Sequence, residues 1–293
     1  MTYLKRLQFR KGINLPLVRR AYLSITGKHL SIFKGSGLDF DELREYVPGD
    51  QIQSIDWKSS ARRGSLVVKN FEISTITDSV ILADASRLMF SQGQNNDKLI
   101  DIAVFASSLI GLLSVDRGDK TTILYSDKSR LIHEKTQNSQ FTLNYSLHRL
   151  SKSAQYNGDG PDISKSFNYI LQFWPKRMNL SVVASLPTLL QVDKALLAKI
   201  AIRYDTLIIG LVSKNPYSKT IKIPEYDIVN YRRIPAFLKS KSAYRKYNNF
   251  VFDKSSELNN YLKSIGIHYI QADSIASFLK EFISYIARRK LTK

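Results

Sequence analysis

The chain has 293 residues, of which 43% are hydrophobic and 24% charged, enough for one large domain or two small ones around a real core. That balance excludes a disordered tail, a coiled coil, a collagen-like rod and a disulfide-stapled miniprotein, and with 0 cysteines it excludes thiolate nucleophiles, zinc fingers and iron–sulfur clusters. The net charge of +19 is concentrated at the two ends, with 13 basic and 7 acidic residues in 1–75, 14 and 11 in 76–200, and 17 and 7 in 201–293. Such a field attracts nucleic acid, anionic lipid or an acidic protein.

In chain order, the N-terminus spreads its basic residues instead of placing them before an apolar block, so it does not read as a secretory signal. Leu30–Gly35 and Ser65–Ile73 alternate like strands, with a dense mixture of charges, aromatics and turns between them. Ser79–Ala85 is apolar and predicts a buried strand. Asp97–Val115 has helical spacing, with Asp97 as its cap. Within it, Asp101–Val115 falls short of the roughly 20 apolar residues of a membrane span and carries an acid at its start. A turn at Asp116–Asp119 leads to a strand over Thr121–Ser126. Phe141–Ser151 and Asp162–Trp174 predict helices, Leu180–Ser185 a strand, Val192–Tyr204 a helix and Thr206–Leu211 a strand. Residues 213–248 are polar, basic and rich in tyrosine. A helix near Ser255–Ile265, a strand at His268–Ala272 and a helix near Ser274–Arg289 follow. Strand alternating with helix predicts a mainly parallel α/β sheet covered on both faces, whose ligands meet the carboxyl ends of the strands.

The informative stretch runs from Gly35 to Arg62. Gly35 and Gly37 allow a turn that other residues resist, and Pro48-Gly49-Asp50 is a strong turn signal. Arg44, Arg62 and Arg63 lie near Asp39, Asp50 and Asp56, with Tyr46 and Trp57 beside them. Two readings stay open: a network of Arg–carboxylate forks that holds the segment together, and a docking surface for a partner. No nucleophile–base pair is visible.

In order, Gly35, Gly37, Phe40, Arg44, Tyr46, Gly49, Asp50, Ile55, Asp56, Trp57, Ala61 and Arg62 follow the signature of a bacterial family known as domain of unknown function fifty-eight. The segment resembles that family, with Asp39 in place of the usual glutamate and Gln51 and Gln53 where an acid and an arginine are common. The resemblance extends through Asp84-Ala85-Ser86, Lys98-Leu99, Gly118-Asp119 and Gly158–Ile163. It implies a von Willebrand A-like sheet over 76–293, preceded by a small β-rich segment over 1–75. It further implies a non-enzymatic adaptor that partners a MoxR-type AAA+ ATPase or its protein client in maturing or remodelling other proteins, and the lack of a span or signal pattern adds the expectation of a cytoplasmic protein.

Von Willebrand A domains often hold Mg²⁺ on hard oxygen ligands at the strand ends. Here Asp84 and Ser86 match the first two ligand positions, but Leu88 replaces a serine, Pro161 a threonine and Ser185-Leu186 an acid. No cofactor is therefore expected, and Mg²⁺ only on a degenerate Asp84–Ser86 site rescued by Asp162. The scattered histidines (His29, His133, His148 and His268) give no ligand cluster, Trp174 and Phe173 read as core, and no phosphate-binding or dinucleotide loop is present. The tract Tyr231–Phe250 interleaves cations with aromatics. It supports an alternative in which charge drives binding to nucleic acid or an anionic membrane surface.

Overall fold

The computed structural model describes residues 15–28, 39–72, 77–127, 130–135, 139–153, 163–217 and 240–291. The expected strand at Leu30–Gly35, the two glycines Gly35 and Gly37, the Gly158–Asp162 stretch and the first half of the Tyr231–Phe250 tract lie outside them.

The chain opens with α1 (Leu15–Lys28), then a hairpin of β1 (Asp39–Glu45) and β2 (Val67–Glu72) whose long connector holds α2 (Trp57–Arg63). The strands pair antiparallel, Glu45 opposite Val67, with a bulge between Phe40 and Glu42. Next come β3 (Asp78–Ala83), α3 (Leu99–Asp116), β4 (Lys120–Asp127), β5 (Arg130–Lys135), α4 (Gln140–Ser153) and α5 (Ile163–Phe173). The remaining elements are β6 (Asn179–Ser185), α6 (Leu186–Leu190), α7 (Lys194–Arg203), β7 (Asp205–Leu211), α8 (Lys241–Ser264), β8 (His268–Ala272) and α9 (Ile275–Leu291).

Six of the strands form one sheet in the order β5-β4-β3-β6-β7-β8. All neighbours are parallel except β5, which runs antiparallel to β4 at the edge. This is the α/β, von Willebrand A-like architecture that the resemblance implied, with the small two-stranded β unit ahead of it. Period-two alternation builds the layers. Ile81, Ala83, Val183 and Ile209 face a core shared with α1, α3, α4 and α9, whereas Val80, Leu82, Val182 and Ile208 face one shared with α5, α6, α7 and α8.

α3 is the centre of the first layer. It is long and apolar enough to cross a membrane by length and composition, yet 78% of it is buried within this fold. Gly111 lets it approach α4, because a Cβ there would lie 2.7 Å from Leu143. α1, which falls within 1–75, contributes Val18, Ala21 and Ile25 to the same core.

Four local expectations change. Asp97 does not cap α3: the residue before that helix is Lys98, and Asp97 Oδ2 instead accepts the amide of Ile275, at the start of α9, at 3.2 Å. The charge-rich Asp39–Glu45 is a strand, because β2 supplies the pairing that its own composition does not favour. Residues 241–264 form one helix that begins well before Ser255, with Ser240 Oγ accepting the Ala243 amide at 3.0 Å. Phe173 is not core. It is 54% exposed and stacks on Tyr169, its ring centroid 4.1 Å away, in a surface cluster with Trp174 and His133.

The loop after β3 is pinned to the start of α9. Gly93 donates to the Asp97 carbonyl at 2.8 Å and Gln94 to the Asp273 carbonyl at 2.7 Å. A Cβ on Gly93 would stand 2.1 Å from the Asp273 carbonyl oxygen. Backbone cannot swing aside as a side chain can. Gly93→Ala should therefore cost about 1–3 kcal/mol of stability, read as a lower urea midpoint at unchanged m-value.

Candidate functional site

Two places hold the residues that the sequence singled out. The first is the carboxyl end of the sheet. Asp84 follows β3, and its own amide continues the ladder to the Val183 carbonyl at 2.8 Å. The carboxylate is buried. Oδ1 accepts the Ser86 amide at 2.8 Å, and Oδ2 accepts the Ser185 amide at 3.3 Å and the Thr188 hydroxyl at 2.8 Å. Ser185 also caps α6, its hydroxyl 2.7 Å from that of Thr188. Thus Asp84 ties β3 to β6 and α6. A buried carboxylate needs donors, and Ser86, Ser185 and Thr188 supply one each.

This donor set suits a divalent cation poorly. One carboxylate is present, both its oxygens already accept N–H or O–H donors, and the start of a helix points at it. Among the described residues no three His, Cys, Asp or Glu side chains gather to hold a metal. Ser86 Oγ, the second matched ligand position, is buried without a hydrogen-bond partner among them. Asp162 lies outside the described residues. Thr188, in a short helix the sequence did not reveal, is the member of this edge that pattern reading missed. Its only signal was a Ser-x-x-Thr spacing after a strand.

The second place is the connector from Tyr46 to Leu66, where the signature residues divide into two sets. One set builds the fold. The Tyr46 amide donates to the Leu66 carbonyl at 2.9 Å, closing the base. Val47–Asp50 is a tight turn closed by the Asp50 amide on the Val47 carbonyl at 3.0 Å, and Gly49 takes φ 115°, a value other residues resist. That turn swings Asp50 back onto Arg44. The guanidinium donates twice, at 2.6 and 2.7 Å, in a bidentate fork, and the Val47 amide adds a third bond at 3.0 Å. Ile55 is buried and bridges to Val68. Asp56 caps α2, accepting the Lys58 and Ser59 amides, each at 3.1 Å. Ser60 turns inward and accepts the Val67 amide at 2.9 Å. Gly64 ends the helix at φ 70°.

The other set points out. Trp57 is 63% exposed and Ile52 69%, and Val47, Leu66, Arg62 and Arg63 are exposed as well. The hairpin unit is thus locked by Arg44, Asp50 and Asp56, while Trp57 and Arg62 are left on its surface. The Arg–carboxylate network of the first sequence-level reading is thus present in the Arg44–Asp50 fork.

A family model described as protein of unknown function DUF58 matches residues 42–218, which includes this connector, the Asp84 edge and five of the six sheet strands in full. The chain belongs to the DUF58 family. Among solved structures, it is similar to the conserved hypothetical protein BatB from Bacteroides thetaiotaomicron, at 13% identity over 72% of this chain and 98% of that one, TM-score 0.44. It is also similar to an aerotolerance-related membrane protein from Bacteroides fragilis, at 16% identity over 72% and 99%, TM-score 0.42. The VWA domain of SpRpn10 matches at 8% identity over 70% and 94%, TM-score 0.38. No curated protein matches the chain.

Two outcomes follow from this geometry. Asp84→Ala strips the acceptor from Ser86, Ser185 and Thr188, and should cost about 2–3 kcal/mol in urea unfolding, against about 1 kcal/mol for Thr188→Val. At the connector, the bond from Arg44 and then that from Val47 hold the Asp50 carboxyl down at about 2, from an ordinary 3.8. Because the folded value is depressed, the fork's contribution is present above the ordinary carboxylate range and is lost as pH falls through about 2. A carbon-detected NMR titration should place the Asp50 midpoint there, and Arg44→Met should return it toward 3.8.

Proposed function

We propose that this DUF58 chain is a non-enzymatic protein-binding adaptor whose partner is a MoxR-type AAA+ ATPase or that ATPase's protein client, acting in the cytoplasm and without a metal. The observation that carries the reading is the division within the connector. Its two acids are spent, together with Arg44, on a rigid scaffold, and the scaffold presents Trp57, Ile52, Val47 and Leu66 to solvent. Exposed large apolar side chains gathered at one end of a hairpin favour a protein contact over chemistry. The Asp84 edge supports independence from metal, since its carboxylate is already provided with three donors.

A second reading rests on α8. Its first turns carry Lys241, Arg245 and Lys246 together with the exposed rings of Phe250 and Phe252. A buried Asn215 pins this stretch, donating to the Tyr244 carbonyl at 2.9 Å and to Asn248 at 2.7 Å. Cations beside aromatics suit nucleic acid or an anionic membrane surface.

Affinity capture from the native host, nuclease-treated, at moderate and high salt and read by mass spectrometry, separates the two. An AAA+ ATPase that survives high salt is the expected result, along with no calorimetric heat for Mg²⁺ or Mn²⁺. Recovery of only ribosomes, nucleic-acid-binding proteins or membrane fragments, all lost in salt, would favour the α8 reading.

A further inference from the structure

We infer that the outer face of α2 is a docking site for an acidic segment of a protein partner that carries aliphatic side chains between its carboxylates. This rests on the adaptor reading above and adds to it the chemistry of what docks.

At about 100° per residue, Trp57, Ala61, Lys58 and Arg62 share one face about 140° wide. All four are exposed, while Ser60 on the opposite side is buried against β2. Trp57 pairs with Ala61, and Lys58 with Arg62, at the i, i+4 spacing that sets side chains one above the other. The face is therefore an aromatic plate beside a two-cation rail. It sits on a helix fixed at both ends, by the Asp56 cap and by Gly64. A rigid aromatic with an adjacent arginine is the composition of an interface anchor. Most of that side chain stands clear of the described residues: Trp57 is 63% exposed, whereas nearby Ile55 is buried.

Charge complementarity selects the occupant. The connector has two acids, and both are committed: Asp50 to Arg44 and the Val47 amide, Asp56 to the Lys58 and Ser59 amides. Lys58, Arg62 and Arg63 have no ion-pair partner among the described residues. Carboxylates are what such a rail lacks. The apolar residues nearby decide between anions. Ile52, Val47 and Leu66 offer nothing to a phosphate backbone but would pack against aliphatic side chains. A bilayer surface is disfavoured because α2 has seven residues, about 10 Å, whereas interfacial helices lay down a far longer apolar stripe. A second copy of this chain is opposed by its net charge of +19.

The chain has 2 tryptophans, so Trp174→Phe leaves Trp57 as the sole reporter. In the full-length protein, titration with a short peptide of alternating glutamate and leucine should shift Trp57 emission to the blue and saturate. A lysine–leucine peptide should leave it unchanged. Lys58→Glu with Arg62→Glu should weaken the acidic peptide by about tenfold or more, with an unchanged circular dichroism melt, since both side chains are exposed.

The inference is overturned if the acidic peptide leaves Trp57 emission unmoved. It is also overturned if phosphatidylserine vesicles or oligothymidylate shift it as strongly, or if the peptide-free protein shows the same shift on concentration alone, which marks self-association. Capture by Trp57→Ala/Arg62→Glu separates this from the adaptor reading. An ATPase retained equally by wild type and variant keeps the adaptor and removes the α2 site. A positive peptide titration without any captured ATPase keeps the site and removes that partner.

Discussion

A sheet buried on both faces leaves its chemistry to the ends of its strands, and this constraint governs the molecule. β3, β6 and β7 turn apolar side chains to both layers, so they require covers above and below. α3 covers the centre of one face and is itself mostly buried. At the carboxyl edge Asp84 collects donors from its own loop, from β6 and from α6, and at the amino edge buried Asp119 collects both the amide and the hydroxyl of Thr77. The edge where related folds hold a cation is here stitched together by hydrogen bonds.

The connector applies the same economy on a smaller scale. A two-stranded hairpin is marginal alone, so its loop must contribute structure. Gly49 bends the chain, Asp50 returns to Arg44, Asp56 starts a helix and Ser60 ties that helix to β2. Each acid in this stretch completes a local bond. The cations outnumber them, and the surplus stands beside Trp57. In a signature that mixes charge with aromatics, the geometry thus separates residues that hold the segment together from residues left on its surface.

The apolar strands were legible because they are continuous and β-branched, and Ser79–Ala85, Leu180–Ser185 and Thr206–Leu211 all fall on strands within a residue or two. β5 was not, because Arg130–Lys135 is an edge strand that mixes Arg130, His133, Glu134 and Lys135 with its two apolar residues. β1 was hidden by acidic residues that disfavour strands, and α1 by a basic N-terminus whose apolar face shows only against α3. At the strand edge, Asp84 and Ser86 were visible from spacing. Thr188 was not, since its role arises from a crossover joining residues 104 apart in sequence. In the connector, the Arg44–Asp50 fork could be anticipated from opposite charges six residues apart. Which aromatics face outward could not, because that depends on the phase of a short helix set by Asp56.

The connector folds through its own charged signature and so holds Trp57 on a rigid platform. Amide hydrogen exchange resolved to single residues tests it directly. The amides of Val47, Lys58, Ser59 and Val67 donate to Asp50, Asp56 and Ser60 side chains. They should exchange far more slowly than an unstructured peptide, and Arg44→Met and Asp56→Ala should release Val47 and the α2 amides respectively. Exchange of all four at the rate of a free peptide would contradict it, leaving Trp57 on a mobile loop and the docking platform without a foundation.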